Sequence, residues 1–205
     1  MKLLVLIGGG GHCRSCIEVI ESTGRFRIKG IIDNKISKTE TCLGYPFIGS
    51  DSDIDKIKTM NAMALVTVGQ INSPYIRKNL YEILNSQEIK IPVIEASSSI
   101  VSRHSSIQEG SIIMHGAVVN ARANIGINVI INSMALVEHD AQIGDHCHIS
   151  TGARINGNAE IGDGCFVGSG AIIHQNIKIG RNSVIPAGSV ISNDVPDGEL
   201  LKGVL

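Results

Sequence analysis

The densest group of chemically capable side chains is Glu138-His139-Asp140, followed closely by Asp145-His146-Cys147-His148. An imidazole beside two carboxylates can act as a general base near neutral pH, because the negative charges favour the protonated ring. A solvated corner, whose charges only maintain solubility, explains the same residues equally well. The sequence therefore offers His139 as a candidate base and leaves the structural alternative open.

A second group follows the apolar run at residues 3–7. Gly8-Gly9-Gly10-Gly11-His12 opens a helical pattern, and a glycine loop at a helix N-terminus lets backbone N–H groups approach a phosphate. Asp33 lies about twenty residues further on, at the end of the next apolar run, where such folds place a ribose or base contact. The third glycine of the dinucleotide fingerprint would fall at Cys13, so a tight strand-to-helix turn without a ligand remains an alternative.

The elements that must position His139 repeat with a period of six. This period fits neither an amphipathic helix nor an alternating strand, but it is typical of a β-helix of hexapeptide repeats with eighteen residues per coil. Small residues usually stand two positions before each apolar rung, as Ala117 and Cys147 do. The rungs are Val101, Ile107, Ile113, Val119, Ile125, Ile131, Val137, Ile143, Ile149, Ile155, Ile161, Val167, Ile173, Ile179, Ile185 and Ile191.

Three further expectations follow from this period. Gly126, Gly144, Gly162 and Gly180 recur once per coil, and we expect them to supply positive φ angles at corners. His148 follows His139 by half a coil, so the two should face away from each other within one chain. The repeat fails at Asp197, so residues 193–205 should leave the last coil and cap or flank it.

The first half of the chain alternates strand and helix patterns. Strands are predicted at residues 3–7, 28–32, 65–68 and 91–94, which makes residues 1–95 a small Rossmann-like parallel α/β domain. One predicted helix should turn Ile76, Leu80, Ile83 and Leu84 towards the core. Residues 96–205 are then the β-helix domain with its C-terminal tail.

Composition narrows the class of protein. The chain has 205 residues, a formal charge of −1 and 3% aromatic residues, which indicates no nucleic-acid or membrane partner. The apolar run near the N-terminus is too short for a signal peptide or a membrane span, so a soluble cytoplasmic protein is expected. Five cysteines favour reduced thiols, and Cys147 and Cys165, one coil apart, should stack in the core.

Several short segments resemble the sugar O- and N-acyltransferases typified by PglD and NeuD, and the resemblance covers essentially the whole chain. It implies a left-handed parallel β-helix, a homotrimer, and acetyl-coenzyme A bound between adjacent prisms. The matching segments are Gly8-Gly9-Gly10-Gly11-His12, Ile31-Ile32-Asp33-Asn34, Val68-Gly69, Arg77-Lys78, Asn132, Glu138-His139-Asp140, Ile143-Gly144 and His148-Ile149-Ser150.

The same resemblance assigns roles to individual residues. His139 would be the general base, and Asp140 stands where the family has an acidic residue, usually Glu, that raises the basicity of the histidine. His148 of a partner subunit would contact the thioester region of acetyl-coenzyme A. The pantetheine path would be lined by Gly157, Ser169 and Ala187. The substrate, a nucleotide-sugar, would be held by Gly9, Gly10, Gly11, His12, Asp33, Asn34, Gly69 and Asn132.

These observations support an acetyl-coenzyme A-dependent N-acetyltransferase that acts on a UDP-linked amino-sugar, without a metal. O-acetylation of a sialic or other nonulosonic acid would use the same base and a hydroxyl nucleophile. A different class is a metal-dependent hydratase like the γ-type carbonic anhydrases, with His139, His146 and His148 as ligands. A non-catalytic trimeric scaffold is the fourth hypothesis.

Overall fold

The computed structural model describes residues 1–34 and 40–201, so the predicted end of the tail at residues 202–205 lies outside the described residues. The first part of the chain is a five-stranded sheet with three helices. Strand order is β3-β4-β2-β1-β5, and every pair is parallel except β3 with β4. The elements are β1 Lys2–Ile7, α1 Gly11–Thr23, β2 Phe26–Ile32, β3 Thr41–Cys42, β4 Tyr45–Gly49, a 3-10 turn Asp51–Asp53, α2 Lys56–Thr59, β5 Met63–Val66 and α3 Tyr75–Ser86.

Helix α1 packs with the apolar face that its sequence predicts. Cys13, Cys16, Ile17 and Ile20 are fully buried on that face, because apolar residues at a spacing of three and four share one side of a helix. The helix ends at Gly24, which has φ 60°, a left-handed conformation that glycine adopts without steric cost.

Two expectations for this domain are wrong. Ile76 was expected in the core, but it is 62% exposed, while Leu80 and Leu84 on the same helix are buried. Residues 91–94 were expected as a fourth strand of the α/β sheet. Instead Ile94–Glu95 pairs with Ile112–Ile113, because the chain already turns here into the first coil of the β-helix.

The rest of the chain is a column of short parallel strands, each paired with the strand eighteen residues away, so the predicted fold class is confirmed. The strands are β6 Ile94–Glu95, β7 Ile100–Val101, β8 Ser106–Ile107, β9 Ile112–Ile113, β10 Val118–Val119, β11 Asn124–Ile125, β12 Ile130–Ile131, β13 Leu136–Val137, β14 Gln142–Ile143, β15 His148–Ile149, β16 Arg154–Ile155, β17 Glu160–Ile161, β18 Phe166–Val167, β19 Ile172–Ile173, β20 Lys178–Ile179, β21 Val184–Ile185 and β22 Val190–Ile191.

The strands form three walls that differ in the residue pointing outward, one position before each rung. The interdomain wall presents Ile94, Ile112, Ile130, His148, Phe166 and Val184. The apolar wall presents Ile100, Val118, Leu136, Arg154, Ile172 and Val190. The polar wall presents Ser106, Asn124, Gln142, Glu160 and Lys178.

The interior of the column is filled by the rungs and the small residues, as predicted. The rungs from Ile113 to Ile185 are buried, and Cys147 and Cys165 are free, fully buried thiols among them. Burial of branched side chains in every coil stabilises the stack, at about 25 cal/mol per Å² of apolar area removed from water.

The explanation given for the four recurring glycines is wrong. Gly126, Gly144, Gly162 and Gly180 do not have positive φ angles. They are small because the next coil is close: a Cβ on Gly126 would lie 2.4 Å from Asp145 Oδ1. The left-handed corner positions come two residues after them, at positions such as Asn128 and His146.

The end of the described chain also departs from expectation. It does not leave the column after Ile191, because Val195 forms a parallel bridge with Ile179 and Leu200 forms one with Val184. The segment therefore continues as a further, shorter coil in which sixteen residues, not eighteen, separate the bridged partners.

The α/β domain lies against the interdomain wall. Ile112 and Ile130 pack in one cluster with Cys16 and Ile17 of helix α1. Arg77 of helix α3 is fully buried at the junction, where its guanidinium donates to the carbonyl oxygens of Val68 and Asn128, both at 2.6 Å. Across residues 1–34 and 40–201, no helix is long and apolar enough to cross a bilayer.

Candidate active site

His139 lies on the corner between the apolar wall and the polar wall, directly after strand β13. Its side chain is 65% exposed, so the imidazole points out of the column as expected. Ring atom Nδ1 lies 2.8 Å from Asp140 Oδ2. Because an ionised carboxylate only accepts hydrogen bonds, Nδ1 carries the proton and Nε2 keeps its lone pair.

Asp140 is held between two partners. Its Oδ2 contacts His139, and its Oδ1 lies 2.8 Å from Nε of Arg122, which stands one coil earlier. The hydrogen bond to His139, together with the positive charge of Arg122, lowers the pKa of Asp140. Asp140 is therefore ionised at neutral pH, which suits a carboxylate that orients a base and stabilises its protonated form.

Gly157 lies one coil above His139 and touches the face of its ring. A Cβ at this position would lie 2.8 Å from His139 Cε1 and 2.9 Å from Nε2. The backbone is fixed there, since Asn158 N donates to His139 O at 3.0 Å. The structure thus brings together His139, which was predicted to be the base, and Gly157, which was predicted to line the pantetheine path.

Ser169 and Ala187 lie on a different corner, between the interdomain wall and the apolar wall. They occupy successive coils, where the backbone N–H of Gly188 donates to Ser169 O at 2.9 Å, and both residues are exposed. The apolar wall therefore separates them from His139 and Gly157 within one chain.

His148 is on the interdomain wall and is only 7% exposed. Its Nδ1 donates to the carbonyl oxygen of Gln70 at 2.9 Å, and its Nε2 accepts from Asn132 Nδ2 at 3.2 Å. Its ring also packs edge-on against Phe166. The contact with the thioester stays a prediction, and the structure adds that His148 joins the two domains of its own chain.

The glycine loop borders a cavity of about 520 Å³ at the C-terminal ends of the α/β strands. Gly8 has φ 102° and its Cα faces the side chain of Val68, so only glycine fits, whereas Gly10 and Gly11 have open space before them. Gly9 does not line the cavity but donates its N–H to Asp33 Oδ2 at 2.7 Å. The predicted nucleotide residues that line the cavity are Gly10, Gly11, His12, Asp33, Asn34 and Gly69.

His12 connects this cavity with the column. Its ring lies 5.9 Å from the ring of His148, and its Nε2 is buried without a hydrogen-bond partner among the described residues. Burial chiefly, and then the positive charge of the nearby Arg77 guanidinium, lower the pKa of His12 to about 3 and that of His148 to about 4. Both rings are therefore neutral at physiological pH.

The three histidines proposed as metal ligands lie in separate environments. His139 is exposed on one corner, His148 faces Gln70, and His146 is buried beside Asn128, with Nδ1 3.0 Å from the amide nitrogen. In the described part of the chain, no three His, Cys, Asp or Glu side chains form a group that could hold a metal ion.

Sequence reasoning missed Arg122 and Gln70. The eighteen-residue period places Arg122 directly below Asp140, so the contact was available from the spacing alone. No sequence pattern indicates the role of Gln70. Its hydrogen bonds to the column, including one from Nε2 to Gly164 O at 3.3 Å, depend on how the two domains dock.

Two family models match the sequence. The PglD N-terminal domain matches residues 3–84, and the bacterial transferase hexapeptide model of six repeats matches residues 158–193. A comparison with curated protein sequences found no match.

Solved structures match over nearly the whole chain. The acetyltransferase domain of PglB from Neisseria gonorrhoeae FA1090, in complex with acetyl coenzyme A, is 31% identical, with a TM-score of 0.89 over 96% of this chain and 94% of that chain. A histidine-to-asparagine mutant of perosamine N-acetyltransferase from Caulobacter crescentus, in complex with CoA and GDP-perosamine, is 28% identical, with a TM-score of 0.89 over 96% and 91%. WeeI from Acinetobacter baumannii AYE, at 22% identity and a TM-score of 0.85 over 97% and 95%, shows the shared fold alone.

The fold and the two domain matches define a sugar acyltransferase built on hexapeptide repeats. The chain belongs to the PglD/NeuD-like family of sugar acyltransferases, as its sequence motifs indicated.

Proposed function

We propose that this chain is an acetyl-coenzyme A-dependent N-acetyltransferase that acts on a UDP-linked amino-sugar, with His139 as the general base. The observation that carries the proposal is the His139 corner. Its imidazole is exposed and donates from Nδ1 to Asp140, so the lone pair of the neutral ring lies on Nε2, which would accept the proton beside the backbone of Gly157.

In this reaction the amine nitrogen of the sugar forms a bond to the thioester carbonyl carbon, and the carbon–sulfur bond breaks. His139 Nε2 accepts the proton that the amine loses, and the same proton can neutralise the departing thiolate of coenzyme A. Asp140 stabilises the imidazolium while it exists, since the carboxylate stays ionised. A histidine-to-asparagine mutant of the Caulobacter relative was solved in complex with CoA and GDP-perosamine.

The cavity beside the glycine loop supports a nucleotide-linked substrate. Open space in front of Gly10 and Gly11 leaves room for phosphates at the start of helix α1, where backbone N–H groups favour negative charge. Asp33, whose Oδ2 accepts from Gly9 N, would contact the ribose, and the exposed ring of Tyr75 borders the same cavity and would stack on the base. A free sialic acid has no nucleotide to fill this space.

The apolar wall supports a homotrimer. Ile100 and Val190 at its ends are 66% and 58% exposed, and a row in which every outward residue but Arg154 is apolar is unusual on a surface unless another molecule covers it. The two corners that bound this wall carry His139 with Gly157 on one side and Ser169 with Ala187 on the other. A second copy docked on the wall would bring both edges into one cleft, where we place acetyl-coenzyme A.

The test is a thiol-release assay with acetyl-coenzyme A and a panel of UDP-linked amino-sugars, GDP-linked amino-sugars and free sialic acids. We expect turnover with a UDP-linked amino-sugar. His139→Ala should lower kcat by about two to four orders of magnitude, the usual contribution of a general base, while coenzyme A binding by calorimetry is unchanged. Turnover only with sialic acids, or an unaffected His139→Ala enzyme, contradicts the proposal.

A further inference from the structure

Arg122 and His139 contact the same carboxylate. Nε of Arg122 lies 2.8 Å from Asp140 Oδ1, and His139 Nδ1 lies 2.8 Å from Oδ2. We propose that Arg122 is a positioning residue, which holds the Asp140 carboxylate in the plane that orients His139 for proton transfer. This inference rests on the proposed function, in which His139 is the base.

The backbone of the column places the three groups in register. Arg122 and Asp140 stand at equivalent corner positions one coil apart, with φ angles of 63° and 62°. Asp140 N donates to Ala121 O at 3.1 Å, and this hydrogen bond fixes the distance between the two successive coils at this corner. The guanidinium therefore needs no domain movement or second chain to reach the carboxylate.

Stability does not explain this ion pair. The side chain of Arg122 is 81% exposed and that of Asp140 is 33% exposed, and ion pairs so open to water contribute little to folding. A carboxylate with a single partner can rotate about its Cβ–Cγ bond, whereas one held at both oxygens has a fixed plane. Because His139 lies in an exposed corner, a fixed acceptor for its Nδ1 proton limits the positions that its ring can take.

Glu138 and His104 face the same corner. Glu138 Oε2 accepts from His139 N at 3.2 Å and from Asn120 Nδ2 at 2.9 Å. His104 stands one coil before Arg122, and its carbonyl oxygen accepts from Arg122 N at 3.0 Å. Among the described residues, the side chains that bond to the Asp140 carboxylate are those of His139 and Arg122, so Arg122 is the group that can hold this carboxylate against rotation.

The experiment compares Arg122→Gln with Arg103→Gln, an exposed arginine in the preceding coil that bonds to His104 and, within the described part of the chain, to no acid. We expect Arg122→Gln to lower kcat on the order of ten-fold, with KM for both substrates and the thermal midpoint unchanged. Arg122→Lys should recover part of kcat, and Arg103→Gln should behave as wild type.

A double-mutant cycle separates this inference from the proposed function. If Arg122 acts through the carboxylate, Arg122→Gln should have no further effect in an Asp140→Asn background. Wild-type kcat in Arg122→Gln, or a change in KM alone, overturns the positioning role. If His139→Ala itself remains active, the base assignment fails first, whatever the Arg122 variants do.

Discussion

Gly157 allows the imidazole of His139 to keep its position because glycine has no side chain. The Cα of Gly157 faces the imidazole of His139 so closely that an added Cβ would lie 2.8 Å from Cε1. The ring can swing away at low cost, since it is the exposed end of a side chain, but it would then leave Asp140. Substitution here should therefore affect catalysis more than folding.

We expect Gly157→Ala to lower kcat by at least ten-fold, because the displaced ring loses its hydrogen bond at Nδ1. The thermal midpoint should change little. Gly198→Asn is the matched control, since Gly198 is a corner glycine away from the apolar wall, with open space around it, in a left-handed conformation that other corners fill with Asn. Steady-state kinetics and calorimetry on both variants check this, and equal kcat values would contradict it.

At the scale of elements, the interdomain wall is more than an apolar contact. Ile112 and Ile130 pack on helix α1, but the next outward residue in the row is His148, which bonds to Gln70 of the α/β domain. Burial chiefly, and then the charge of Arg77, lowers the pKa of His148 to about 4. The junction between the domains therefore requires a neutral imidazole.

This requirement predicts a pH-dependent stability. Between pH 6.5 and about 4 the unfolded chain protonates His148 and the folded chain does not, so the free energy of unfolding falls as the pH falls through this window. A shift from 6.5 to about 4 corresponds to about 3 kcal/mol. Denaturant unfolding at several pH values should show a smaller fall for His148→Gln than for wild type.

The control for this measurement is His104→Gln, which removes an exposed histidine. That variant should keep the pH dependence of the wild type. Identical pH dependence in wild type and His148→Gln would mean that protonation of His148 is not what weakens the junction.

At the scale of the whole molecule, the walls of the column have different surroundings. The α/β domain packs against the interdomain wall. The polar wall carries hydrogen-bonded side chains such as Asn124 and Gln142, which suit contact with water. The apolar wall exposes Ile100 and Val190. The proposed site is incomplete in one chain, because the apolar wall lies between its two halves. Assembly and activity should therefore be lost together.

Leu136→Arg puts a charge in the middle of the apolar wall, beside Arg154 of the next coil. We expect this variant to be monomeric by light scattering and to lose most acetyl transfer, since it sets two like charges side by side in the interface. Ser106→Arg, on the exposed polar wall, should remain trimeric and active. A monomeric Leu136→Arg enzyme with full activity would contradict a site shared between chains.

The division into two domains at residues 95 and 96 stays a proposal, and the structure shows why such a boundary is hard to place. Ile94–Glu95 already pairs with the column, although the residues before it belong to the α/β core. An apolar run of four residues has the same pattern in either sheet, so periodicity could not assign it. Ile76 was misplaced for a similar reason, since an apolar residue at the edge of a helical face can also border a cavity.

Sequence alone determined the column, its inward rungs and the outward direction of His139, because one repeated coil geometry forces the same side-chain direction at every sixth residue. It also indicated the glycine loop and Asp33, whose contact depends on a short strand–turn–helix unit. Only the tertiary structure decided that His148 faces Gln70, seventy-eight residues away, and that Ile100 and Val190 of the apolar wall are exposed while most of the interdomain wall is buried. A period specifies which residues stack within the column, but the docking of a second domain depends on surface complementarity, which no local repeat encodes.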